Sequence, residues 1–254
     1  MIIDTHCHLY LSEFSEDILE VINRAVKEGV AKFYLPSIDS LSLDSMLQLQ
    51  DKFPDKCFSM MGLHPCSVKG NFREELKTVQ DWLSKRKFAA VGEIGLDFYW
   101  DKTFEQQQYD AFHQQVDWAL HYDLPIVIHS RDSTTECINI VHQHQKGALK
   151  GIFHCFGSDY ESALKIIDLG FYLGIGGVVT YKNSGLAAVL EKISLEHIVL
   201  ETDAPYLSPV PFRGKRNESS YLQYVISKLA LVKGISIEEV AAITTSNAEK
   251  IFGS

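Results

Sequence analysis

The chain has 254 residues, of which 46% are hydrophobic and 22% charged, and a formal net charge of −9. That length and apolar content allow one large core, and the acidic balance excludes a broad basic face for gripping a nucleic-acid backbone. Five scattered cysteines with no C-x-x-C pair argue against a disulfide framework or a structural zinc site and fit a reducing compartment.

The opening Met1-Ile2-Ile3 reaches Asp4 and His6 with no basic region and no long apolar stretch. Neither a signal peptide nor a membrane helix is expected, and the reading places the protein in the cytoplasm. A first strand is predicted over 1–8, in MIIDTHCH. An amphipathic helix follows over 16–29, with Ile18, Val21, Ile22 and Ala25 on one face and Gly29 as its stop. Further strands are predicted at 31–38, 57–64, 88–96, 124–130, 150–156, 171–177 and 197–203. Helices at 42–52, 74–85, 104–122, 133–145, 160–169 and 184–192 separate them, and two more follow at 218–233 and 236–252. The last opens with SIEE, a capping box with Ser236 as N-cap and Glu239 three residues on. Strands alternating with helices in a chain of this length predict an α/β fold, a (β/α)8 TIM barrel forming one domain over 1–254. An open doubly wound sheet is the alternative, but no G-x-G-x-x-G follows a strand to support it.

A barrel builds its active site at the C-terminal ends of its strands. Those ends carry His6 and His8, His64, Glu93 and Asp97, His129, His154, and Glu201 with Asp203. Strand side chains alternate, so His6 and His8 share a face and can grip one metal, while Cys7 faces the helices. Glu93 stands in an apolar strand, where a carboxylate is costly unless paired or metal-bound, and it can bridge two cations. His129 and His154 make a second N,N,O set with it. Asp203 can ligate the first metal and take a proton from bound water. Glu201 lies one layer deeper, where supporting a ligand suits it better than ligation. By the same parity Cys155 points away from the mouth.

The blocks DTHCHL, GLHP, GEIGLDFY, IHSRD, HCFGS and ETDAPYLSP…RGKRNE occur in this order. Together they resemble the TatD family of metal-dependent hydrolases, within the amidohydrolase-like barrel superfamily, over essentially the whole chain. The resemblance implies two divalent cations, zinc, manganese, magnesium or similar. The first would take His6, His8, Glu93 and Asp203, and the second Glu93, His129 and His154. A water or hydroxide between the metals would be the nucleophile. It further implies a deoxyribonuclease trimming single-stranded DNA or RNA ends in the 3′ to 5′ direction, with nucleic acid as substrate. No membrane association and no obligate protein partner are expected. Amide or ester hydrolysis of small molecules on the same metals is the alternative. A non-enzymatic binding protein on a dead barrel would have lost ligands, and all six are present.

His64 resembles a family position near the substrate phosphate and is read as a substrate contact rather than a ligand. Arg213, in the loop PFRGKRNE with Lys215 and Arg216, is read as a phosphate contact. Tyr99 can stack on a base, whereas Trp100 is expected to pack under a loop.

Overall fold

The computed structural model describes residues 1–253, and among these strand and helix alternate as the periodicity predicts. The strands are β1 (Ile2–Asp4), β2 (Val30–Pro36), β3 (Cys57–Met60), β4 (Val91–Asp97), β5 (Ile126–Arg131), β6 (Gly151–Phe153), β7 (Tyr172–Ile175) and β8 (Ile198–Leu200). Parallel pairing runs β1-β2-β3 and then β4 through β8. Two seams join these ladders into a ring. Met61 pairs with Val91 between β3 and β4, and Thr5 N–H donates to Leu200 O at 3.0 Å where β1 meets β8. The architecture is the TIM barrel. Its helices are α1 (Ile18–Lys27), α2 (Leu43–Lys52), α3 (Phe72–Lys85), α4 (Glu105–Tyr122), α5 (Thr134–His144), α6 (Tyr160–Asp168), α7 (Leu186–Glu191), α8 (Leu222–Lys233) and α9 (Ile237–Phe252). Among the described residues no helix is long and apolar enough to cross a membrane.

Several strands end earlier than predicted. β1 stops at Asp4, β6 at Phe153 and β8 at Leu200. Beyond them the backbone still bonds to the neighbouring strands: Cys7 N–H donates to Tyr34 O of β2, and Asp203 N–H to His6 O just after β1. Parity holds for His6, Cys7 and His8 and fails at Cys155. Cys155 adopts a left-handed backbone (φ 48°) and lines the central cleft rather than facing away from it. Helix α8 also starts later than predicted. Ser219 Oγ donates to Asp4 Oδ2 and Ser220 Oγ to Glu218, so residues 219–221 form a tighter 3-10 turn ahead of the helix.

β4 has a register irregularity between Val91 and Ile94. There Gly92 N–H donates to Met61 O on the β3 side, at the seam, and Glu93 N–H donates to Ser37 O just past the end of β2. The ladder resumes at Ile94, and next to it Gly95 pairs with His129 at φ of 140°, where a Cβ would overlap His129 O. This position requires glycine for both reasons.

Ile3, Tyr34, Met60, Ala90, Val127, Ile152 and Val199 form a buried cluster drawn from strands all round the barrel, and Ala248 and Ile251 of α9 pack into it. Phe252 stacks on Tyr34 with ring centroids 3.9 Å apart. Asn247 Nδ2 donates to Leu195 O and Ile198 O at the start of β8. Helix α9 thus plugs the end of the barrel opposite the mouth. Its capping box forms as predicted. A second, larger cluster fills the layer between strands and surrounding helices.

The loop after β8 is fastened to α1. Arg216 makes a bidentate contact to Asp17 at 2.7 and 2.8 Å, and Arg24 does the same to the buried Glu218 at 2.6 and 2.9 Å. Replacing Arg24 leaves a buried carboxylate without its fork of donors. Arg24→Ala is expected to lower stability by about 1–3 kcal/mol, seen as a lower urea midpoint. Adding Glu218→Gln in that background should recover part of the loss, and an unchanged midpoint for Arg24→Ala would count against this account.

Candidate metal centre

Glu93 is 2% exposed and stands at the floor of the mouth. Its two oxygens face different partners. Oε2 lies 3.1 Å from His6 Nε2 and 3.6 Å from His8 Nε2. Oε1 lies 2.9 Å from His129 Nδ1, 3.3 Å from His154 Nε2 and 3.3 Å from His64 Nε2. Asp203 Oδ1 closes the first group at 3.5 Å from His8 Nε2 and 3.8 Å from His6 Nε2. The structure therefore brings His6, His8, Glu93, His129, His154 and Asp203 together. Burial alone would raise the Glu93 carboxyl, but the surrounding imidazoles of His64, His6, His154 and His129 overcome that and hold it well below the usual carboxylate range.

The imidazoles are oriented from behind. Tyr10 commits its hydroxyl proton to Pro36 O at 2.6 Å, so it accepts from His8 Nδ1–H at 3.0 Å and leaves His8 Nε2 facing inward. His154 Nδ1 donates to Glu201 Oε1 at 3.1 Å, and the same oxygen accepts Cys155 N–H at 2.5 Å. Gly174 makes room for that carboxylate, since a Cβ there would overlap Glu201 Oε2. His129 Nε2 donates to Asp97 Oδ2 at 2.8 Å. A carboxylate or hydroxyl behind a histidine, fixing its tautomer and ring plane, is the arrangement metal-binding histidines use. Asp203 takes a left-handed backbone (φ 57°), uncommon for a residue other than glycine, and is braced by its neighbour. Thr202 N–H and Oγ1–H both donate to Asp4, whose burial pushes its carboxyl up to about 6 despite these donors.

The set fits a metal. His6 is fully buried, and neither of its ring nitrogens has a hydrogen-bond partner, although Nε2 points into the cluster. Burial and the neighbouring His154 lower its basicity, which keeps the ring neutral and its lone pair free. Donor atoms of His6, His8 and Asp203 lie within 4.8 Å of one another, as do those of His6, Glu93 and His154. His154 answers two carboxylates at once, Glu93 and Glu201. Burial opposes its protonation, yet Glu201 and Glu93 raise it to about 10. A cation among these groups would supply the same positive charge.

His64 reaches Glu93 as closely as His154 does. Its Nδ1 accepts Cys66 N–H at 3.0 Å, which leaves the proton of the neutral ring on Nε2. That makes His64 a donor into the cleft. The cleft holds about 1000 Å³ and is lined, among others, by His64, Trp100, Arg131, Tyr181, Arg213 and Lys215. Arg213 lies 4.5 Å over the Tyr181 ring. Arg216 is turned to Asp17 and away from the mouth. Two aromatic expectations exchange places. Tyr99 is not part of the cleft lining and carries the Arg131 guanidinium 4.0 Å above its ring, while Trp100 lines the cleft and is 68% exposed. The Asp97 side chain causes this. Its Oδ1 accepts both Tyr99 N–H and Trp100 N–H at 3.0 Å, and that turn throws Trp100 outward. Asp97 and Tyr10 are partners that strand-end counting did not assign. Their only sequence signal is a polar group placed four residues after Glu93 and two after His8.

The family described as TatD related DNase matches residues 3–253 of this chain. The chain belongs to the TatD family. YabD of Bacillus subtilis (strain 168), an uncharacterized metal-dependent hydrolase, is 36% identical over 253 residues, 99% of both chains. The crystal structure of YjjV, a TatD homologue from Escherichia coli K12, superposes with a TM-score of 0.93 at 30% identity, covering 100% of this chain and 98% of that one. A relative from Pantoea ananatis (strain LMG 20103), named 3′-5′ ssDNA/RNA exonuclease TatD, is 29% identical over 256 residues, 98% of each. The chain is thus a metal-dependent hydrolase of TatD type. Because Asp97 orients His129 from outside, Asp97→Asn should weaken divalent-cation affinity about 10- to 100-fold, measured by competition with a chromogenic chelator. Unchanged affinity would show that His129 needs no such support.

Proposed function

We propose that this protein is a divalent-metal-dependent phosphodiesterase that trims single-stranded DNA or RNA from the 3′ end. The observation that carries the reading is the division of Glu93, with each carboxylate oxygen facing a separate set of imidazoles. In this reading His6, His8, Glu93 and Asp203 would hold one cation, and Glu93, His129 and His154 would hold a second. A mixed nitrogen and oxygen set suits zinc, manganese or magnesium. Bound there, divalent cations supply charge to neutralise a phosphate and bring the pKa of a water toward neutrality.

The chain's own groups take the remaining roles. Asp203, with its side chain 15% exposed, is the carboxylate open to the cleft and accepts a proton from the attacking water. Glu201 and Asp97 keep His154 and His129 in place. His64 donates Nε2–H to a phosphate oxygen. Arg213 and Lys215 bring positive charge to the lip, so the cleft attracts an anion although the protein as a whole is acidic. The direction of trimming is supported by the name of the Pantoea relative.

The test uses a 5′-labelled single-stranded DNA with Mn²⁺, Mg²⁺ or Zn²⁺, its products resolved on a sequencing gel. A metal-dependent ladder shortening from the 3′ end is expected, and Glu93→Ala should reduce it to the level of chelator-treated protein. Full turnover by Glu93→Ala overturns the site assignment. An intact oligonucleotide alongside rapid hydrolysis of carbonyl substrates overturns the nuclease reading.

A further inference from the structure

Trp100 presents a contradiction that the metal centre does not absorb. It is 68% exposed, while Trp118 is only 8% exposed. Leaving an indole in water forfeits a large apolar area, and its place is the lip of the cleft that Glu93 floors.

The loop that carries it is fastened at every turn. Asp97 Oδ1 accepts Trp100 N–H and Tyr99 N–H. Gln108 accepts Asp97 N–H at 2.9 Å and donates to Asp97 O and Asp101 O at 3.2 and 3.4 Å. Asp101 pairs with Lys69 at 2.7 Å and accepts Thr103 N–H at 2.9 Å. The backbone that carries Trp100 is thus tied by hydrogen bonds on both sides, which lowers the ordering entropy that binding through it costs. Beside it, Arg131 lies 4.0 Å over the Tyr99 ring and 5.5 Å from the Trp100 ring centroid, and it lines the same cleft.

An acidic chain cannot hold a polynucleotide by a broad cationic surface. Its affinity for a single strand has to come from the mouth, and stacking is the one contact that works on every base, since every base has a π-face. We propose that Trp100 is a stacking platform for an unpaired nucleobase of the strand whose phosphate occupies the Glu93 cleft, with Arg131 as the cation beside that nucleotide. This rests on the nucleic-acid reading given above. It predicts preference for single-stranded over paired ends, because a base held in a duplex offers no free face to the indole.

The experiment measures cleavage rates and binding of a fluorescein-labelled single-stranded DNA by anisotropy, using the metal-loaded wild type, Trp100→Ala and Trp100→Phe. A matched set of strands each lacks the base at one position near the 3′ end. Trp100 is exposed, so the thermal melts of the variants should match the parent. Trp100→Ala is expected to weaken binding and raise KM about tenfold, with kcat little changed. Trp100→Phe should recover most of the loss. The penalty should vanish on the strand lacking the stacked base. Equal binding by wild type and Trp100→Ala, in a protein that still cuts DNA, overturns the stacking platform and leaves the nuclease reading standing. A penalty that persists on every base-free strand also overturns it. A wild type that neither binds nor cuts any strand overturns both.

Discussion

Burying the Glu93 carboxylate at the floor of an apolar barrel removes several kcal/mol of hydration. What surrounds it is five imidazoles, from His6, His8, His64, His129 and His154, and among the described residues no lysine or arginine pairs with it. Imidazole is the side chain that can stay neutral in such a place and still offer a lone pair or a proton. Much of the mouth follows from that arrangement. The register break in β4 falls at Glu93, and His6, His8, His154 and Asp203 lie just past the ends of β1, β6 and β8.

A second ring of groups stands behind the first and gives each its orientation. Tyr10 serves His8, Asp97 serves His129, and Glu201 serves His154. Asp4 fastens the segment that carries Asp203. Asp97 has two tasks at once, since one oxygen steadies a histidine and the other shapes the lip turn that displays Trp100. The chemistry of the floor and the shape of the lip are thus set by a single carboxylate.

Much of this is visible in the order of residues. Apolar alternation and helical periodicity give the barrel, and polar residues ending apolar strands mark its mouth. The capping box at Ser236 and Glu239 forms where the motif places it. What escapes a linear reading is whatever depends on backbone outside regular strand geometry. Cys155 is placed wrongly by parity because its φ is 48°, a left-handed turn that alternation cannot foresee. Tyr99 and Trp100 exchange roles because a side chain, Asp97, sets the turn between strand and helix. Arg213 and Arg216 lie three residues apart in one loop, yet of the two only Arg213 lines the cleft, since Arg216 finds Asp17, at the start of α1 and 199 residues away in sequence.

The plug made by α9 bears on how the molecule comes into being. The barrel interior contains Ile3 of the first strand and Val199 of the last, and Ala248 and Ile251 close it. In the finished fold the inner residues of the early strands pack against residues from the end of the chain, so their cover is made last. The floor is also late, because its donors run from His6 to Asp203. A growing chain therefore holds only fragments of the cation site until most of it has been made. Two completions are thus separate along the chain, since the last ligand, Asp203, precedes the helix whose Ala248 and Ile251 close the base.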